Sequence, residues 1–207
     1  METLLERYAA LLTDYCVRVA PGDRVLVHVD LAAADLARAV CRAVLRAGGE
    51  PFLRLQYPEA AADLIELASD AVLDSEPTVQ QGEIELMQAY VRVSAQENSR
   101  VMSGADQQRL ARLDRRLAPV GRHRVERTRW VTTLFPTPAA AQEAGMATDA
   151  YRRFVYDAMF LFDTDPSARW RELGARQQRL VERLADADEV RLEGPGTDLR
   201  LSVQGRT

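Results

Sequence analysis

Apolar residues recur over 3–18 at Leu4, Leu5, Tyr8, Leu11, Leu12 and Tyr15, the spacing of one helix face. Pro21-Gly22-Asp23 then predicts a turn, and the apolar run Arg24 to Val29 a short strand. A second helix is predicted over about 32–47, with Leu36, Val40 and Val44 on one face and Gly48-Gly49 ending it. Phe52 to Tyr57 and Tyr90 to Ser94 read as the next two strands, separated by helical segments near 60–68 and 80–87. A long polar helix follows from about 105 into the 120s, then a strand over Trp130 to Leu134. Pro136 and Pro138 interrupt the chain after that strand. Helices are predicted near 138–144, 148–160 and 166–186, and strands over Glu189 to Leu192 and Asp198 to Val203. In the last strand Leu199, Leu201 and Val203 alternate with Asp198, Arg200 and Ser202, which predicts burial of one face.

This strand–helix alternation defines an α/β fold, a mainly parallel sheet with helices on both faces in Rossmann-like layering. No repeat, low-complexity tract or linker divides the sequence, so residues 1–207 are expected to form a single α/β domain. The half-buried pattern at 198–203 lies so near Thr207 that further chain is expected beyond it.

Composition narrows the function. The formal net charge is −4, which argues against a nucleic-acid partner. All cationic side chains are Arg; the absence of Lys removes Schiff-base chemistry and the lysine of a phosphate-binding loop. Cys16 and Cys41 both fall in helical patterns, so no disulfide framework is expected and a reducing cytoplasm fits. The opening METLLERYAA lacks the pattern of a signal peptide, and no run approaches the ~20 apolar residues of a membrane helix.

Candidate chemistry is sparse. His28 and His123 are the histidines; His28 lies in a strand, and His123 sits among arginines that would repel a cation. No HExxH or CxxC spacing is present, so no metal site is expected from this chain. No GxSxG elbow is present, and each cysteine reads as a buried, inert thiol. The turn after the first strand, Asp30-Leu31-Ala32-Ala33-Ala34, has no glycine, so the dinucleotide fingerprint is missing; Asp30 would also repel phosphate. Arg109, Arg112, Arg115, Arg116, Arg122, Arg124, Arg127 and Arg129 form a cluster. Without interleaved aromatics, it reads as a helix face engaged in ion pairs or seated on an acidic surface. Polar residues after the strands are the remaining candidates, because ligands of parallel sheets bind beyond the carboxyl ends of the strands. They are Asp30, Tyr57, Gln96-Glu97-Asn98 and Thr137; Asn98 and Thr137 also suit helix starts.

Six segments, in order and spacing, resemble the aminopeptidase T family, also called thermophilic metalloproteases. They are LLERYAALLTDYCVRVAPGDRVLV at 4–27, AVCRAVLRAGGEPFLRLQYP at 39–58, AQENSRVMSG at 95–104, RWVTTLFPTPAAAQEAGM at 129–146, YRRFVYDAMFLFDTDPSARWREL at 151–173 and GPGTDLRLSVQGRT at 194–207. The resemblance implies a cytoplasmic exopeptidase that removes N-terminal amino acids from peptides with two divalent ions, zinc or cobalt. It implies that the glutamate, histidine and aspartate ligands follow the residues matched here, so no catalytic or metal residue is carried onto this chain. The chain then corresponds to the amino-terminal lobe, inactive alone, whose partners are the missing catalytic lobe, peptide substrates and a second copy in a homodimer. Asn98, Thr137 and Asp198 are the expected substrate-cavity wall. The alternative is a stand-alone α/β ligand-binding or oligomerisation module.

Overall fold

A computed structural model describes residues 3–205. Arg206 and Thr207, which close the last matching segment, lie outside the described residues. The chain divides into two compact units, one ending at Thr164 and the other starting at Asp165.

The first unit is a four-stranded parallel sheet with helices on both faces. Its strands are β1 (Arg24–Asp30), β2 (Glu50–Gln56), β3 (Ala89–Ser94) and β4 (Arg129–Leu134), in the spatial order β2-β1-β3-β4. The chain therefore returns across β1 to place β3, which puts the topological switch between β1 and β3. Side chains alternate faces along each strand. Val25, Val27 and Val29 are fully buried on one face, and the registry Val29↔Val93↔Thr133 extends that face to β4. Against it pack α1 (Leu4–Ala10) and α2 (Ala34–Arg46). A π-helical turn at Leu11–Cys16 continues α1, and Tyr8 donates from its hydroxyl to the Leu134 carbonyl at 2.7 Å. A capping box starts α1: Thr3 accepts from Glu6 N at 3.2 Å while Glu6 Oε2 accepts from Thr3 N at 2.9 Å. Gly48, at φ +82°, ends α2 as its sequence suggests. Gly49 leaves no room for a side chain, since a Cβ there would lie 2.8 Å from Val19 Cγ1.

The opposite face carries Leu26, His28, Tyr90 and Arg92. Leu26 and Tyr90 pack with Ile84, Met87 and the half-buried Val120. The covering helices are α3 (Ala60–Leu67), α4 (Asp70–Leu73), α5 (Thr78–Glu85) and α6 (Gln107–Arg127). Asp106 caps α6 by accepting from Gln108 N and Arg109 N, and the helix continues through Pro119. The arginine stripe holds α6 to its neighbours. Arg109 donates to the carbonyls of Ile65 and Ala68 and pairs with Asp70 at 3.0 Å. Arg112 forks onto Asp74, and Arg116 donates to Ser75 O at 2.9 Å. Three members of the cluster, Arg109, Arg112 and Arg116, are thus an internal clamp on the segment between α3 and α5. After β4 come α7 (Pro138–Glu143) and α8 (Thr148–Ala158).

The second unit holds α9 (Pro166–Leu184) and an antiparallel hairpin of β5 (Glu189–Gly194) and β6 (Thr197–Ser202). Pro195-Gly196 makes the tight turn, with Gly196 at φ +74°. The alternation at 198–203 predicts a strand with one buried face, yet every residue of β6 is exposed. The pattern marks an amphipathic ribbon, and two strands alone are too narrow to bury a face of their own. Among the described residues, no helix is long and apolar enough to cross a membrane.

Candidate functional site at the carboxyl edge of the sheet

Four parallel strands bring their carboxyl ends to one edge, where the candidates of the first unit collect. Asp30 ends β1 at the switch. Its Oδ1 accepts from Arg92 Nη2 at 2.5 Å; its Oδ2 accepts from Ala95 N at 2.8 Å and Ser94 Oγ at 3.4 Å. Arg92 is fixed in turn by donating from Nη1 to the carbonyls of Val93 at 2.7 Å and His28 at 3.4 Å. Both charges are largely buried, with side-chain exposures of 13% for Asp30 and 19% for Arg92. The crevice that dinucleotide-binding sheets leave open for phosphate is therefore occupied by the protein's own carboxylate and guanidinium. Asp30 was legible as a phosphate-repelling residue. Arg92 and Ser94 were not legible as its partners, because only the strand register aligns them.

The loops after β3 and β4 meet on the same edge. Thr137 is buried, donates to Gln96 O at 2.5 Å and accepts from Ala140 N at 3.2 Å, so it caps α7 and ties the two loops. Phe135 N adds a 2.6 Å bond to Ser94 O. Asn98 lies on the exposed part of the loop after β3 and does not start a helix; its Oδ1 accepts from Arg100 N at 2.9 Å in a local turn. Tyr57, after β2, is half exposed and donates to Asp63 Oδ2 at 2.9 Å. Asp198 belongs to the second unit, where both its oxygens accept from Arg191, at 2.8 and 2.9 Å. That fork holds the Asp198 carboxyl below its usual range.

The donors present do not fit a dimetal centre. Among the described residues, no three His, Cys, Asp or Glu side chains gather closely enough to hold a metal ion. His28 has both ring nitrogens engaged, Nε2 with Gln56 Oε1 at 2.9 Å and Nδ1 with the Tyr90 hydroxyl at 3.1 Å. Burial first, then the charge of Arg92, pushes its pKa down to about 4, so the ring is neutral at physiological pH. Burial also raises both thiols, Cys16 to about 11, so neither is a thiolate nucleophile at neutral pH. The edge is a rigid, hydrogen-bonded support for two loops.

The family described as thermophilic metalloprotease (M29) matches residues 1–207, and the chain belongs to that family. Its resemblance to the aminopeptidase T family is thereby confirmed, and the family is one of metal-dependent peptide hydrolases. Among solved structures, wild-type AmpT from Thermus thermophilus shares the fold with a TM-score of 0.75 and 23% identity. The alignment covers 96% of this chain and 53% of the other, so this chain spans about half the length of that relative. A crystal structure of CurK enoyl reductase aligns with a TM-score of 0.28 at 12% identity, over 83% of this chain and 57% of its own, too poorly to carry an argument. No curated protein matches the chain.

Proposed function

We propose that this chain is the α/β amino-terminal lobe of a cytoplasmic, homodimeric metallo-aminopeptidase that removes N-terminal amino acids from peptides. In this reading a catalytic lobe outside these 207 residues supplies the ligands for a pair of divalent ions, zinc or cobalt. When bound, such a pair polarises the scissile carbonyl and supplies hydroxide at neutral pH. The first unit contributes a cavity wall: the loop bearing Asn98 stands exposed, held at its base by Thr137 and Asp30.

One observation carries the reading. The family spans the whole chain, yet the strong donors near the switch already have protein partners: Asp30, at the sheet edge, has Arg92 and Ala95, and His28, on the sheet face, has Tyr90 and Gln56. The test is turnover of aminoacyl anilides by the purified 207-residue chain with added zinc or cobalt. Background rates are expected, because water activation needs at least one metal held by an open ligand set. Metal-dependent turnover by contaminant-free protein overturns the assignment of catalysis to another lobe.

A further inference from the structure

The sheet face that carries Leu26, His28 and Tyr90 is not filled completely by the helices above it. A cavity of about 230 Å³ remains between these side chains and helices α5 and α6. That is room for roughly seven or eight groups of water size at ~30 Å³ each. Its upper walls are aliphatic at Ile84 from α5 and at Leu117 and Val120 from α6, beside the polar Gln80 and Glu83 of α5. Gly121 adds a bare stretch of helix, since a Cβ built there meets no atom within 4 Å.

Charge in this space does not balance. Arg54 is paired with Glu83 at 2.5 Å. His28 bonds Gln56 through Nε2 and Tyr90 through Nδ1, and burial keeps the ring neutral at physiological pH. Arg124 remains. Its guanidinium lies 5.3 Å from the Tyr90 ring centroid and 5.7 Å from that of Trp130, which fixes its direction. Its Nε is buried with no hydrogen-bond partner, and no acidic side chain pairs with it among the described residues. A half-buried cation whose Nε is enclosed with no partner leaves a donor for an anion to meet. One excess positive charge, a small volume and aliphatic walls together specify a ligand with one negative end and a short apolar body.

We propose that the cavity between the sheet and helices α5 and α6 binds a small aliphatic monocarboxylate, with Arg124 Nε as the donor to its carboxylate. Plain short-chain acids and free aliphatic amino acids share this chemistry. The site lies on the sheet face, apart from the strand edge, and its test uses no peptidase readout, so it stands or falls independently of the aminopeptidase reading.

The experiment titrates the 207-residue chain with 4-methylpentanoate, its neutral isostere 4-methylpentanamide, and leucine. Calorimetry gives the affinity, and NMR follows the His28 ring resonances on the cavity floor. Expected are saturable binding of the acid with a shift of the His28 signals, and affinity for the amide weaker by about ten-fold or more. Arg124→Met removes the donor, and Gly121→Leu fills the space while leaving Arg124 in place. Each should weaken binding of the acid about ten-fold or more; the second variant serves if the first fails to fold. Leucine binding as tightly as the plain acid assigns the site to free amino acids, and weaker binding assigns it to plain acids. The proposal is overturned by no saturable binding of either, by equal affinity for acid and amide, or by undiminished binding to folded Arg124→Met or Gly121→Leu.

Discussion

His28 lies two residues before the end of β1, hydrogen-bonded on both sides and flanked by Arg54 and Arg92 in the strand register. The sequence places it in a strand, near the strand's end, and the structure agrees. Its true surroundings depend on Gln56, Tyr90 and Arg92, which lie 28 to 64 residues away and become neighbours only through pairing. A neutral buried imidazole with a pKa near 4, against 6.5 in the unfolded chain, binds fewer protons folded than unfolded between those values. Stability therefore rises with pH across that window: the contribution is complete above the unfolded pKa and is lost as pH falls toward 4. The shift corresponds to roughly 3 kcal/mol. Urea unfolding at about pH 7.5 and about pH 4.5 should show this loss in the wild type and a smaller one in His28→Gln. An equal pH dependence in both would show that His28 does not govern the acid limb.

Helix α6 shows how far an element can be read before its neighbours are known. The periodicity gives its extent to within a few residues, and Arg109, Arg112 and Arg116 were legible as a stripe of ion-pairing residues. Asp106 and Asp114 are the acids nearest to these arginines in the sequence. The structure uses Asp106 as the helix cap and takes Asp70, Asp74 and backbone carbonyls as the partners. The short α4 at Asp70–Leu73, absent from the hydrophobic pattern, exists where this clamp holds it. The same helix carries an interior glycine. Gly121 costs helix stability through its backbone entropy, and a methyl there touches nothing within 4 Å. Gly121→Ala should therefore stabilise the chain by about 0.5–1 kcal/mol, read as a raised urea midpoint at unchanged slope. A lowered midpoint would mean that α6 needs its glycine for packing.

Across the whole molecule, the alternating pattern identified the parallel sheet, but it could not give the order β2-β1-β3-β4 or separate the final hairpin from that sheet. Pattern states which face of a strand is apolar; what covers it depends on pairing partners. In the hairpin, Leu192 lies opposite Leu199 and Val190 opposite Leu201, so all four share one face. Leu192, Leu199 and Leu201 are 44–50% exposed, and α9 buries none of its own residues. Isolated two-stranded ribbons are marginal in water, and contiguous apolar surface of this kind finds partners. The 207-residue chain should therefore associate with a midpoint that depends on concentration, measured by sedimentation. Replacing Leu192 and Leu199 by Thr should shift it toward monomer. A wild type that stays monomeric across the accessible range would remove the hairpin as an interface.

The contacts of Asp30 also set a clock. Ala95 N is locked to the end of β1, whereas Glu97 and Asn98, two and three residues further on, stand in solvent. Opening Ala95 requires breaking the Asp30 anchor, and neighbouring strands then lose their order with it. Hydrogen–deuterium exchange should accordingly step sharply within two to three residues, with the Ala95 amide surviving as long as those of β1 and the amides of Glu97 and Asn98 exchanging early. A loop hinged so close to its tip can change shape many times while the sheet beneath it stays closed.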